Sequence, residues 1–263
     1  MRRVAAAATA LVCAGSAGAS VGIRLPALPA QGLVLARGHG VDLVSLGGEQ
    51  VGSLDGFTLA GDPYPEGSLR DRRGRAWRID VRGRRLVPVG RRAIPPPKRH
   101  TCTRASSTRL LLCSTGPNAL PNTIRRRGSA LVQGAAPGAR VVKGRADGYW
   151  RDAWLSPDGR TVLAQWSGEC ESPTAFLRGS SGGRARPVGG GVTIADAPES
   201  TALGWTAAGR AIVSLPSGGC GKAFARPGVY LVTPAGKPVR RILVFRRRTP
   251  PLVNVEAWGV AGS

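Results

Sequence analysis

Apolar and polar residues alternate along this chain in short runs, and the runs stop at glycine-containing turns. Val41-Asp42-Leu43-Val44-Ser45-Leu46 precedes Gly47-Gly48, and Ala76-Trp77-Arg78-Ile79-Asp80-Val81 precedes Arg82-Gly83. The pattern returns at Ala130-Leu131-Val132 before Pro137-Gly138 and at Ala175-Phe176-Leu177 before Gly182-Gly183. It returns again at Val229-Tyr230-Leu231-Val232 before Ala235-Gly236. Short runs rich in β-branched and aromatic residues are strands. Glycine supplies the positive φ of a tight turn, so each run opens a hairpin. The partner strands are basic or apolar, as in Arg85-Leu86-Val87 and Arg140-Val141-Val142.

A second element recurs at a longer period. Trp154, Trp205 and Trp258 lie 51 and 53 residues apart, each followed by a glycine, Gly159, Gly209 or Gly262. Around the first, Trp154-Leu155-Ser156-Pro157-Asp158-Gly159-Arg160-Thr161-Val162-Leu163-Ala164 reads strand, turn, strand: proline presets φ and glycine accepts the left-handed conformation. Gly204–Val213 repeats this pattern, and the segment from Cys102 to Cys113 fits the same slot, with Arg109–Leu112 as its second strand. Four strands in a unit of about fifty residues is the arithmetic of a β-propeller blade. The expected fold is therefore all-β, a β-propeller of about five four-stranded blades. The N-terminal blade holds three strands, Leu33–Ala36, Val41–Leu46 and Val51–Leu54, and Val255–Val260 is a first strand with nothing after it. Pairing this C-terminal strand with Leu33–Ala36 completes the blade and closes the ring, which removes exposed sheet edges. The blade over residues 56–93 is short and reads as degenerate. An open β-sandwich is the alternative architecture.

The stretch Trp154–Ala164, with Ser156-Pro157-Asp158-Gly159-Arg160, resembles the blade motif of the TolB-like propeller repeat family, itself loosely related to WD40 repeats. Hairpins ending in Gly83, Gly138 and Gly236 look like that family's third and fourth strands. The resemblance covers residues 150–243 best and is faint before residue 100. It implies a propeller fold and protein–protein interaction at the cell envelope. No blade carries the Trp-Asp dipeptide of WD40 repeats.

Residues 1–19 read as a secretory signal peptide. Arg2 and Arg3 form a positive start, Val4–Val12 is apolar, and Ala17-Gly18-Ala19 offers a small-residue cleavage site. The apolar run is shorter than the roughly 20 residues that a membrane span needs. Val12 before Cys13 argues against a lipoprotein signal. Residues 20–31 then form a linker and residues 32–263 a single propeller domain, secreted or held in the envelope, and expected as a monomer. Removing the leader takes away Arg2 and Arg3 and lowers the net charge from +23 to +21. Four cysteines remain, Cys102, Cys113, Cys170 and Cys220, and an even number after an export signal favours disulfides. Cys102 and Cys113 flank the turn Ala105–Thr108, which favours a bridge across a hairpin. Cys170 and Cys220 each fall eleven residues after their repeat glycine, at equivalent loops. A zinc site is disfavoured, because no C-x-x-C pair exists and His39 and His100 are the only histidines.

The charge bears on partners. Of 38 basic residues 34 are arginine, which a GC-rich genome also produces. A balance this basic favours a polyanion, and export turns the expectation from nucleic acid towards an anionic envelope polymer or a protein. The basic runs Arg91-Arg92, Lys98-Arg99 and Arg246-Arg247-Arg248 read as connections between blades, and Arg125-Arg126-Arg127 as a loop between second and third strands. All would emerge on one face, where guanidinium groups clamp carboxylates or phosphates through paired hydrogen bonds. Catalysis finds less footing. Gly179-Ser180-Ser181-Gly182-Gly183 matches G-x-S-x-G but reads as a hairpin turn without the helix that a nucleophile elbow needs. Gly218–Ala223 lacks the first glycine and the Ser/Thr of a phosphate loop. The enzymatic alternative is a carbohydrate-active enzyme of glycosidase or lyase type, using Glu169, Glu171, Asp196 or Glu199 as paired carboxylates. No catalytic residue, cofactor or metal is expected.

Overall fold

The structure, a computed structural model, describes residues 23–60, 68–90, 102–107, 109–114, 120–142, 145–168, 173–181, 183–189, 199–215, 226–245 and 255–259. Among these the chain is all-β: five four-stranded antiparallel sheets and one two-stranded ribbon, without a helix. The described residues group into two compact units, one holding 23–90 with 255–259 and the other 102–245.

In the first unit, β1 (Gly32–Arg37), β2 (Gly40–Ser45) and β3 (Gln50–Asp55) form a meander. A strand from the far end of the chain, β22 (Val255–Trp258), pairs antiparallel with β1, with Gly32 opposite Trp258 and Leu33 opposite Ala257. This is the terminal pairing that the sequence led us to expect. The second sheet joins β4 (Phe57–Leu59), β5 (Ser68–Asp71), β6 (Ala76–Asp80) and β7 (Arg85–Pro88) in chain order. Its strands are short, yet the sheet is complete rather than degenerate, because Leu69, Trp77 and Leu86 each bury a large side chain from a strand of only four or five residues. They pack with Val34, Val41, Leu43 and Trp258 in one core. Part of the expected linker is built into this sheet. Leu25 N donates to Arg84 O and Leu86 N to Ile23 O, both at 2.8 Å, so residues 23–25 cover the outer edge of β7.

The second unit contains three sheets. The first runs β8 (Cys102–Arg104), β9 (Leu111–Cys113), β10 (Thr123–Arg126) and β11 (Ser129–Val132). A ribbon of β12 (Val141–Val142) and β13 (Arg145–Ala146) follows. The next sheet is β14 (Tyr149–Leu155), β15 (Thr161–Ser167), β16 (Pro173–Gly179) and β17 (Arg186–Pro187). The last is β18 (Thr201–Trp205), β19 (Ala211–Leu215), β20 (Gly228–Val232) and β21 (Pro238–Val244). One expected hairpin is wrong: Ala130–Val132 pairs backwards with β10, and Val141–Val142 with β13. The cause is the Arg127-Gly128 turn, whose residues both have positive φ (48° and 83°). Two consecutive left-handed residues make the tight hairpin turn whose twist matches the strands.

Packing between these three sheets follows the tryptophan repeat. Trp154 and Trp205 are fully buried in a shared core, and Trp205 Nε1 donates to Trp154 O at 3.1 Å. Trp150 sits on the other side of β14, edge-to-face with Trp166 (4.9 Å) and Phe176 (5.6 Å). Its Nε1 donates to Gly134 O at 3.0 Å. Buried polar groups fasten neighbouring sheets. Asp152 accepts from Ser106 N at 2.6 Å and Ser106 Oγ at 2.5 Å, and Gln165 joins β15 to the residues that open β18.

Candidate functional site

In a four-stranded meander the first and third hairpin turns lie at one end of the sheet, and the loop between strands two and three lies at the other. Arg125 and Arg126 belong to β10, and Arg127 opens the β10–β11 turn. The expected placement in a loop between second and third strands is therefore wrong, and these arginines lie towards the end shared by the first and third turns. Arg125 and Arg127 are exposed, while Arg126 turns inward and its Nη1 reaches Gly159 O at 3.5 Å.

The corresponding turn of the β4–β7 sheet is also basic. Arg82 and Arg84 occupy it, Arg85 begins β7, and Arg78 lies two residues before Asp80 on β6, hence on the same face. Asp80 shapes the turn, accepting from Gly83 N at 3.0 Å and facing Arg85 Nε at 3.5 Å. The Gly83 amide, with lesser help from the Arg85 and Arg78 charges, outweighs desolvation and holds the Asp80 carboxyl below its ordinary value of 3.8. Its charge is thus matched by Arg85. The other ion pairs among the described residues are Arg37 with Asp42 and Asp55, and Arg75 with Asp71. Arg78, Arg82, Arg84, Arg125 and Arg127 are exposed; Arg78 acts on Asp80 only through its charge, and the other four are in none of the ion pairs among the described residues. A guanidinium carries five N–H donors in a planar fork that matches the oxygens of an anion.

Sequence reasoning passed over Arg78, Arg82 and Arg84. The signal lay in Arg82-Gly83-Arg84-Arg85, a basic run wrapped around a turn glycine and read only as a hairpin. Arg91, Arg92, Lys98, Arg99, Arg246, Arg247 and Arg248 lie outside the described residues, as do His100, Cys170, Cys220, Glu169, Glu171 and Asp196. Glu199 is 5% exposed just before β18, a buried position rather than a solvated loop group. His39 is exposed in the β1–β2 turn. Cys102 and Cys113 form the expected disulfide, standing opposite one another in β8 and β9 with Cα atoms 4.1 Å apart. Among the described residues no cluster of three His, Cys, Asp or Glu side chains could hold a metal ion, and no helix is long and apolar enough to cross a membrane. No family model matches the chain, and neither does any curated protein.

Proposed function

We propose that this chain is an exported binding module, a closed five-bladed propeller of TolB-like kind, that holds an anionic polymer of the cell envelope through arginine-bearing hairpin turns. One observation carries the reading: Arg82 and Arg84 in one sheet, and Arg125 and Arg127 in another, stand exposed without carboxylate partners among the described residues. Five sheets of four strands and the β22–β1 pairing support the propeller. The Cys102–Cys113 bridge supports an oxidising compartment outside the cytoplasm. Separate basic turns suit a repeating polyanion, since each additional contact adds avidity rather than requiring a new pocket.

The test is a titration of the oxidised chain with long-chain polyphosphate and with polygalacturonate over a range of salt. Binding to at least one is expected to persist at about 0.15 M salt, where the screening length is about 8 Å. R84Q and R125Q/R127Q should each weaken it, the double variant flattening the log–log salt dependence by about 1.4, roughly 0.7 per lost contact as for single-stranded polyanions. Absence of binding at that salt, or affinity indifferent to these variants, would overturn the reading.

A further inference from the structure

Beside the β6–β7 turn the first unit has a surface cavity of about 400 Å³. It is a half-open recess rather than an enclosed pocket. Arg78, Asp80 and Arg82 line one side, Ile79 and Val81 contribute apolar surface, and Ala30 and Gly259 form the opposite wall. This wall is small-sided by necessity. Gly259 has φ +64° and runs so close to the chain before β1 that a Cβ on it would lie 2.0 Å from Ala30 O. Two hydrogen bonds hold these strand ends together, Gln31 Nε2 to Gly259 O at 2.8 Å and Trp258 Nε1 to Pro29 O at 3.2 Å. The cavity is thus bounded by fixed backbone on one side and by a strand and its turn on the other.

The charges inside it are unequal. Asp80 is hydrogen-bonded by Gly83 N–H, paired with Arg85 and also favoured by the nearby Arg78 charge. Arg82 is in none of the ion pairs among the described residues, and the two arginines outnumber the one carboxylate in the lining. Two arginines and one carboxylate line the recess beside apolar residues, a net positive lining that suits an oxyanion carried on a carbon framework. We infer that this cavity is the subsite that seats one oxyanion of the polymer, a phosphate or carboxylate group, between Arg78 and Arg82 and against the Ala30–Gly259 wall. The inference rests on the polyanion-binding reading above and gives it a defined recess in place of diffuse attraction.

Shape separates the two ideas, because a recess can be filled without changing charge. Ala30 is exposed, so Ala30→Leu narrows the cavity while leaving the core untouched. Wild type, A30L, R78Q/R82Q and R125Q/R127Q are titrated with polyphosphate and, separately, with polygalacturonate at one salt concentration, with thermal melts to verify folding. A30L, by excluding the oxyanion, and R78Q/R82Q, by removing both guanidinium groups, should each weaken binding by about tenfold or more. The polymer that shows this loss identifies the oxyanion as phosphate or carboxylate. Should wild type bind while A30L and R78Q/R82Q bind equally well, the subsite is refuted and the broader reading survives through R125Q/R127Q. Should wild type bind neither polymer, both fall together.

Discussion

Gln165 bonds both its own strand and the residues that open the neighbouring sheet. It is 3% exposed; Nε2 donates to Trp166 O and Ser200 O at 2.9 and 3.3 Å, and Oε1 accepts from Ala202 N at 2.6 Å. Gln165→Leu keeps the bulk but strands a buried N–H, so urea unfolding should show a loss of about 1–3 kcal/mol. Asp71 makes a pH-dependent contribution at the β5–β6 turn. Desolvation would raise its pKa, but the Arg75 backbone N–H, the Trp77 indole, the Arg75 side chain and the Arg73 N–H together hold it below 3.8. A carboxylate with a lowered folded pKa stabilises the fold above its unfolded value, and that contribution disappears as pH falls through the folded one. Wild type should therefore be more stable than D71N at pH 7, and the gap in denaturation midpoint should narrow as acid takes the pH below 3.8. A gap that stays constant would contradict this linkage. At this scale the sequence was legible where chemistry is local: a turn between Cys102 and Cys113 identified the pair, although the hairpin centres one residue later than the expected Ala105–Thr108. It was not legible at Arg127, since the left-handed turn there lacks the usual Asn-Gly or Asp-Gly signal.

Strands and sheets were read more fully than residues. The hairpins at Gly47-Gly48, Arg82-Gly83, Gly182-Gly183 and Ala235-Gly236 match β2–β3, β6–β7, β16–β17 and β20–β21, because each couples apolar strand residues to a turn glycine. The Pro137-Gly138 signal is a real turn, with Ala139 N bonded to Ala136 O, but it links β11 to the β12–β13 ribbon. Turn chemistry marks where the chain bends and leaves open which strands then pair. The long-range pairing of β22 with β1 was inferable only from counting strands, and its energetic role is open to measurement. Trp258 is 4% exposed and packs in the first unit's core. Deleting residues 255–263 removes that indole and leaves β1 without one neighbour, so amide protection over Gly32–Arg37 should fall sharply in hydrogen exchange. Unchanged protection there would mean that β1 and β2 are stable without it. The Cys102–Cys113 bridge constrains its sheet in a similar way. Replacing both cysteines with serine should cost about 2–3 kcal/mol in denaturant unfolding, given the short loop it closes, and reductant should then have no further effect through this bridge.

For the whole molecule, charge carries more functional information than fold. An all-β scaffold is compatible with many activities, whereas a net charge of +23, with exposed arginines at hairpin turns, is a physical argument for attraction to polyanions. Composition alone made that excess visible; it left open where the charge is concentrated. Among the described residues Arg82, Arg84, Arg125 and Arg127 stand exposed at or beside hairpin turns and outside the ion pairs that occupy Arg37, Arg75 and Arg85. Hydrogen exchange of the full oxidised chain, with and without saturating anionic polymer at about 0.15 M salt, tests the central claim most directly. Slowed exchange in peptides spanning 81–85 and 125–129, with little change in the buried strands β15 and β19, is the predicted result. Protection confined to other segments, or none at all while polymer is present in excess, would contradict binding through these turns.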